Sequence, residues 1–210
     1  TANFWNVSKV VCDAAGNLYV GCNSISNNSG IQRYTKATST WTNITPTGLD
    51  PRVPDIELSS TGRLHIVCGY YNTAAGSSGY RYTDNPATVT SSGWTSPATT
   101  FTTQYNVALA SNGNTLYALP SGSTWNVTTM YKSTNGGANW SATGTTPAFT
   151  SSQAWYCMAV AVDPNNANNV IVGSLDCYKT TNGGTSWTKI SNWVGTTGQY
   201  VHADQQIITW

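Results

Sequence analysis

The sequence has little charge. Charged residues make up 8% of its 210 positions, against about a quarter in an ordinary soluble domain. Nine bases against eight acids leave a formal net charge of +1. Nucleic acid or an anionic membrane surface needs a basic face, and the residues to build one are missing, so neither is expected as a partner. Glutamate occurs once, at Glu57, and leucine eight times. Helical bundles and coiled coils draw heavily on both, which excludes those classes. No apolar run approaches the roughly 18 residues that span a bilayer, and no basic segment followed by an apolar one opens the sequence. The chain is expected to have no membrane span and to be a processed chain or an internal piece of a longer one. Two histidines and five cysteines without a C-x-x-C spacing argue against a bound metal, and no cofactor motif is present.

What the sequence does have is nine Trp and twelve Tyr set among Ser, Thr, Asn and Gly. With 39% hydrophobic residues, many of them aromatic or β-branched, it can bury a core and reads as all-β with an uncharged polar surface. Short strand-like runs, each followed by a Trp, recur four times: Leu18–Gly21 with Trp41, Leu64–Val67 with Trp94, Leu116–Leu119 with Trp140, and Val170–Gly173 with Trp187. The tryptophans are 53, 46 and 47 residues apart. A period of this length built only of strands and turns predicts a β-propeller with one four-stranded antiparallel blade per repeat. The expected blades run over about 5–45, 52–96, 104–142 and 155–190, with residues 201–210 as the first strand of a fifth. Runs such as Val107–Ala110 and Met158–Val162 are almost continuously apolar, as a blade covered on both faces requires.

Two copies carry a sharper pattern, Ser133-Thr134-Asn135-Gly136-Gly137-Ala138-Asn139-Trp140 and Thr180-Thr181-Asn182-Gly183-Gly184-Thr185-Ser186-Trp187. Both resemble the Asp-box, or bacterial neuraminidase repeat, S-x-D-x-G-x-x-W, with Asn in place of Asp. In such a turn a short side chain accepts backbone N–H bonds, Gly takes the positive φ and the Trp packs under the hairpin. That assigns Ser133, Asn135, Gly137, Trp140, Thr180, Asn182, Gly184 and Trp187 a structural role. The first copy keeps only the length, with Lys36 at the Asp position, and the second keeps Asp84 but lengthens before Trp94. Together with Tyr200-Val201-His202-Ala203-Asp204-Gln205, the chain is similar to sortilin-like and xyloglucanase-like propellers of the secreted Bacteroidota type. The resemblance implies a secreted or cell-surface propeller, commonly part of a longer protein. Separately, Arg52-Val53-Pro54 resembles the element that opens sialidase propellers, which implies carboxylate recognition by Arg52.

Propeller ligands are held by the loops that join strands two and three and by those that join blades. These loops contain Tyr70, Tyr71, Trp125, Trp155, Trp193 and Tyr200, interleaved with Asn, Ser and Thr, and His202 follows closely. Aromatic faces with neutral hydrogen-bonding groups suit carbohydrate, and equally a protein surface. A non-catalytic binding or adhesion module is therefore expected, with a part in a glycoside hydrolase as the alternative. Hydrolysis of a glycoside uses two facing carboxylates; Asp55 and Asp204 are the candidates, and the enzyme reading requires either of them to face a second carboxylate across an open cleft. Cys157 and Cys177 are expected near one another across a hairpin and, in an oxidising compartment, bridged. Cys22 and Cys68 occupy equivalent strand positions and are expected as buried thiols. Since no strand in the sequence closes the ring, the remaining blades are expected on a longer polypeptide, six to ten in all.

Overall fold

The structure is a computed structural model that describes residues 4–26, 28–195 and 198–210. The chain forms two compact units, Thr1–Gln104 and Tyr105–Trp210. In the first, β1 (Val7–Cys12), β2 (Leu18–Cys22), β3 (Gly30–Thr35) and β4 (Thr40–Asn43) form a four-stranded antiparallel meander in chain order. A second sheet contains β5 (Ile56–Leu58), β6 (Leu64–Cys68) and β7 (Gly79–Thr83). The fourth strand expected there is reduced to one bridge between Tyr82 and Thr95. The lengthened stretch before Trp94 is the cause: it closes on itself through Thr88 and Val89 amides donating to Asn85 O and tucks Val89 into the core. Ile31, Ile44, Val53, Ile56, Leu64 and Ile66 fill the space between the two sheets.

The hairpins between first and second strands are set by local polar chemistry. Asp13 Oδ1 accepts the Ala15 and Asn17 amides at 3.0 and 2.9 Å, and its Oδ2 accepts the Tyr19 hydroxyl at 2.9 Å. These bonds favour the carboxylate and, against the opposing effect of burial, hold the Asp13 pKa below its usual range. Asp163 plays the same part for Asn165 and Asn169.

His65, on β6, is fully buried and lies 2.6 Å from the Tyr80 hydroxyl through Nδ1. Burial, seconded by the Arg63 charge, pushes its pKa down to about 3. The unfolded chain takes up this proton near pH 6.5 and the folded chain only near 3, so folding stability falls as pH drops through that window, by up to about 1.4 kcal/mol per pH unit. In thermal melts between pH 6.5 and 4, His65→Gln is expected to lose less Tm per pH unit than the wild type. Equal slopes would show that another group controls the acid limb.

The second unit holds two complete meanders. One is β8 (Val107–Asn112), β9 (Thr115–Pro120), β10 (Thr129–Ser133) and β11 (Ser141–Thr145); the other is β12 (Ala159–Asp163), β13 (Asn166–Gly173), β14 (Cys177–Thr180) and β15 (Thr188–Lys189). Tyr117, Leu119, Met130, Phe149, Val170 and Val172 belong to the core they share. The β10–β11 and β14–β15 turns have the hydrogen bonds the motif calls for. Ser133 Oγ accepts the Gly137 amide at 2.9 Å, and Asn135 Oδ1 accepts the Asn139 amide at 2.9 Å. Thr180 Oγ1 and Asn182 Oδ1 repeat this with the Gly184 and Ser186 amides, both at 3.0 Å. Trp140 is buried and donates from Nε1 to Gly137 O, whereas the Trp187 indole packs on the core with its buried N–H lacking an acceptor among the described residues. Because the side-chain oxygen of Asn135 accepts from Ser133 Oγ and the Asn139 amide, Asn135→Asp is expected to strengthen these bonds by charge and raise Tm by about 2–4 °C; a lowered Tm in calorimetry would contradict that role.

Two expectations are corrected. Cys157 and Cys177 are free thiols. The connection after β13 is only Ser174–Asp176, so Cys177 opens the third strand, pairing with Gly173, while Cys157 precedes the first. β13 runs between β12 and β14, so the two cysteines are not on paired strands. Cys157 is instead 3.1 Å from Ser174 Oγ. Cys22 and Cys68 are buried thiols at equivalent positions, facing Gly30 and Gly79. Residues 201–210 form no strand. A strand exists only with a ladder partner, and this segment makes isolated bonds: the Asp204 and Gln205 amides both donate to Ser174 O. Ile208 lies close against Gly173, so the segment lies on the face of the β12–β15 sheet that an adjoining strand would cover.

Candidate functional site

In an antiparallel meander, the turn from second to third strand and the connection leaving the fourth lie at the same end. In the second unit this end is built from residues 121–128, 146–158, 174–176, 190–195 and 198–200. The described large apolar side chains that are exposed in this unit, Trp155, Tyr156, Trp193 and Tyr200 among them, all lie in these connections or in 201–210. None lies at the Asn-rich hairpins of the opposite end.

Backbone bonds tie the connections into one layer. Trp125 O accepts the Ala154 amide at 3.1 Å, and Asn106 Nδ2 donates to Ala154 O at 2.6 Å. Asn126 Oδ1 accepts the Ser152 amide at 2.8 Å. Tyr105 meets the Trp125 ring edge-on at 5.4 Å, and Trp155 and Tyr156 form a second pair at 5.4 Å, tilted by 46°. Further along, the Leu175 amide donates to Phe149 O, Asp176 Oδ1 accepts the Trp193 amide at 3.0 Å, and Asn192 bridges to Tyr200. Trp125, Ser151 and Ser152 have φ values of 57°, 41° and 64°, a left-handed backbone that costs non-glycine residues energy and clusters at functional sites. Trp125, Trp155, Trp193 and Tyr200 therefore lie at one end of one unit. Tyr105 and Tyr156, beside them, were not singled out from the sequence, although both sit in connections between blades, where the same reasoning points.

The first unit arranges its candidates differently. Asp50 grips Arg52 in a two-point pair, its Oδ1 accepting from Nε at 2.8 Å and its Oδ2 from Nη2. Thr73 Oγ1 joins both, accepting from Arg52 Nη2 at 2.9 Å and donating to Asp50 Oδ2 at 3.1 Å. Burial opposes charge on Asp50, but Arg52 and Thr73 outweigh it and keep its pKa low. The guanidinium expected to receive a ligand carboxylate is thus already neutralised by Asp50. Tyr70 is half-buried, with its amide on Thr73 Oγ1, and Tyr71 is exposed at φ 51°.

The two candidate carboxylates lie in different units. Asp55 is buried, accepts the Ile56 amide at 2.8 Å and pairs with Lys9 Nζ at 3.3 Å; Glu57 takes the same ammonium at 2.8 Å. Burial works against charge on Lys9, yet the two carboxylates raise its pKa well above the ordinary range. The cluster joins β1 to β5 as an ion-pair staple. Asp204 is exposed at φ 78° in the other unit. Its neighbour His202 places Nδ1 2.8 Å from Ala203 O. No group of three or more metal-binding side chains occurs among the described residues, and none of their helices is long and apolar enough to cross a membrane.

No family model and no curated protein matches the chain. Solved structures do. The extracellular domain of BT4673, a protein of B. thetaiotaomicron described as a one component system, is similar over 100% of this chain and 25% of its own, with 12% identity and a TM-score of 0.66. The GH74 xyloglucanase of Xanthomonas campestris is similar over 86% of this chain and 28% of its own, with 18% identity and a TM-score of 0.57. The chain spans about a quarter of the length of either. At such identities the likeness is one of architecture, and with the four antiparallel sheets it identifies the chain as an all-β protein of β-propeller fold.

Proposed function

We propose that the chain is a segment of a secreted or cell-surface propeller of the Asp-box type, and that it binds carbohydrate through the loop end of its second unit without acting on it. One observation carries this reading: the exposed aromatic side chains of Trp155, Tyr156, Trp193 and Tyr200 lie in hydrogen-bonded connections at one end of that unit, among Asn, Ser and Thr. Sugars present C–H faces that stack on indole and phenol rings and hydroxyls that need neutral donors and acceptors. The names of the two structures of like fold, a xyloglucanase and an extracellular domain, accord with a carbohydrate ligand outside the cell. The fraction of their length that the chain spans accords with further blades on a longer polypeptide, in a ring of six to ten. Catalysis is not proposed, because the carboxylate of Asp55 is held by the Lys9 ammonium. A glycan array probed with the 210-residue chain, run beside a screen on aryl-glycosides, tests the reading. Retention on carbohydrate without turnover is expected; turnover, or a blank array from folded protein, would overturn it.

A further inference from the structure

The aromatic residues at the loop end of the second unit are joined in series, connection to connection, by hydrogen bonds. Tyr105 precedes β8 and Trp125 lies on the β9–β10 connection, both at the β8–β11 sheet. The bond from the Ala154 amide to Trp125 O brings in Trp155 and Tyr156, on the connection to the next sheet. From there the Leu175–Phe149 bond leads to Asp176, and Asp176 fixes the amide of Trp193, which lies beyond β15. The series therefore crosses from one sheet to its neighbour, and stacked sheets lie about 10 Å apart. Ring stacking works at centroid separations of about 4.5–7 Å, so aromatic residues spread over the connections of two sheets offer more than one stacking face to a ligand.

The charge pattern narrows the ligand further. Across residues 121–128, 146–158, 174–176 and 190–200 the sequence has one ionisable acid or base of the Asp, Glu, Lys, Arg or His type, Asp176. Lys189 pairs with it at 2.8 Å. Nothing along the series would recognise a carboxylate or sulfate on a glycan, and each such group would lose water without a partner. Trp155, Tyr156 and Trp193 are 51%, 50% and 42% exposed, so each leaves aromatic surface open to a ligand.

We infer that this series takes a stretch of a neutral polysaccharide, several sugar units long; this rests on the carbohydrate reading above. Titration calorimetry of the 210-residue chain tests it, using oligosaccharides of one to six units from the β-1,4-linked glucose, mannose and xylose series and the α-1,4-linked glucose series, with polygalacturonate as the acidic counterpart. In whichever neutral series binds, affinity is expected to climb at least about 100-fold from one unit to six, as successive rings engage linked subsites. Trp155→Ala and Trp193→Ala should each weaken the six-unit ligand about tenfold or more at unchanged Tm. Equal affinity for one and six units, or polygalacturonate binding as tightly as the neutral six-unit ligand, overturns the inference and leaves the carbohydrate reading intact. Loss of binding in only one of the two variants limits the ligand to one end of the series and also overturns it. If no glycan binds, both fall.

Discussion

Trp155→Ala combined with Tyr156→Ala is expected to lower the affinity for carbohydrate by about a hundredfold while leaving Tm within about 2 °C. The two rings contact each other and are each about half exposed, so their truncation opens no core cavity. Their backbone is anchored without them: the Tyr156 and Cys157 amides both donate to Gln153 O. What is lost is the stacking face, and each aromatic anchor at a recognition site is worth about 1–2 kcal/mol or more. The double variant separates a binding role from a packing role, because truncation of the buried Phe149 at the same end should cost about 3–5 kcal/mol of stability. Unchanged affinity in calorimetry would remove these residues from the site.

The second large effect concerns the turns that resemble the Asp-box. Gly184 has φ +93°, and a Cβ placed there would lie 2.4 Å from Met130 Cε and 2.9 Å from Thr143 Oγ1. Gly184→Ala therefore combines a left-handed backbone penalty of about 1–2 kcal/mol with overpacking of about 1–3 kcal/mol. Gly113, at φ +59° in the β8–β9 turn, meets nothing within 4 Å. Gly113→Ala should cost only the backbone part. In urea unfolding the Gly184 variant is expected to be less stable than the Gly113 variant by at least about 1 kcal/mol. Equal losses would mean that the turn gives way where it meets Met130 and that these contacts do not staple the β8–β11 sheet to the β12–β15 sheet.

The strands were legible in the sequence because blade segments buried on both faces read as unbroken apolar runs, and turns such as Asn112–Asn114 have the small polar chemistry hairpins need. The Asn135 and Asn182 turns were legible for the same local reason, their bonds reaching only four residues. What depended on partners distant in sequence was not legible. Lys9 meets Glu57 across 48 positions, and nothing near either residue signals the pair. Asp50 neutralising Arg52 was close enough to be found, but it takes the fold of the Thr73 loop to turn the two side chains together. The cysteine pairing failed on one loop length: with three residues between β13 and β14 instead of a longer loop, Cys177 moved one strand over. Residues 201–210 look like an inner strand in composition, yet a strand is defined by the ladder beside it.

The central claim, that carbohydrate is held on the aromatic series of the second unit, is tested most directly by following the indole N–H resonances of the nine tryptophans during titration with a neutral oligosaccharide. Trp125, Trp155 and Trp193 should shift together with one dissociation constant, while Trp140, whose N–H is bound to Gly137 O, and Trp187, which packs on the core, stay in place. A saturating ligand that moves Trp140 or Trp187 and leaves Trp125, Trp155 and Trp193 unchanged would contradict it.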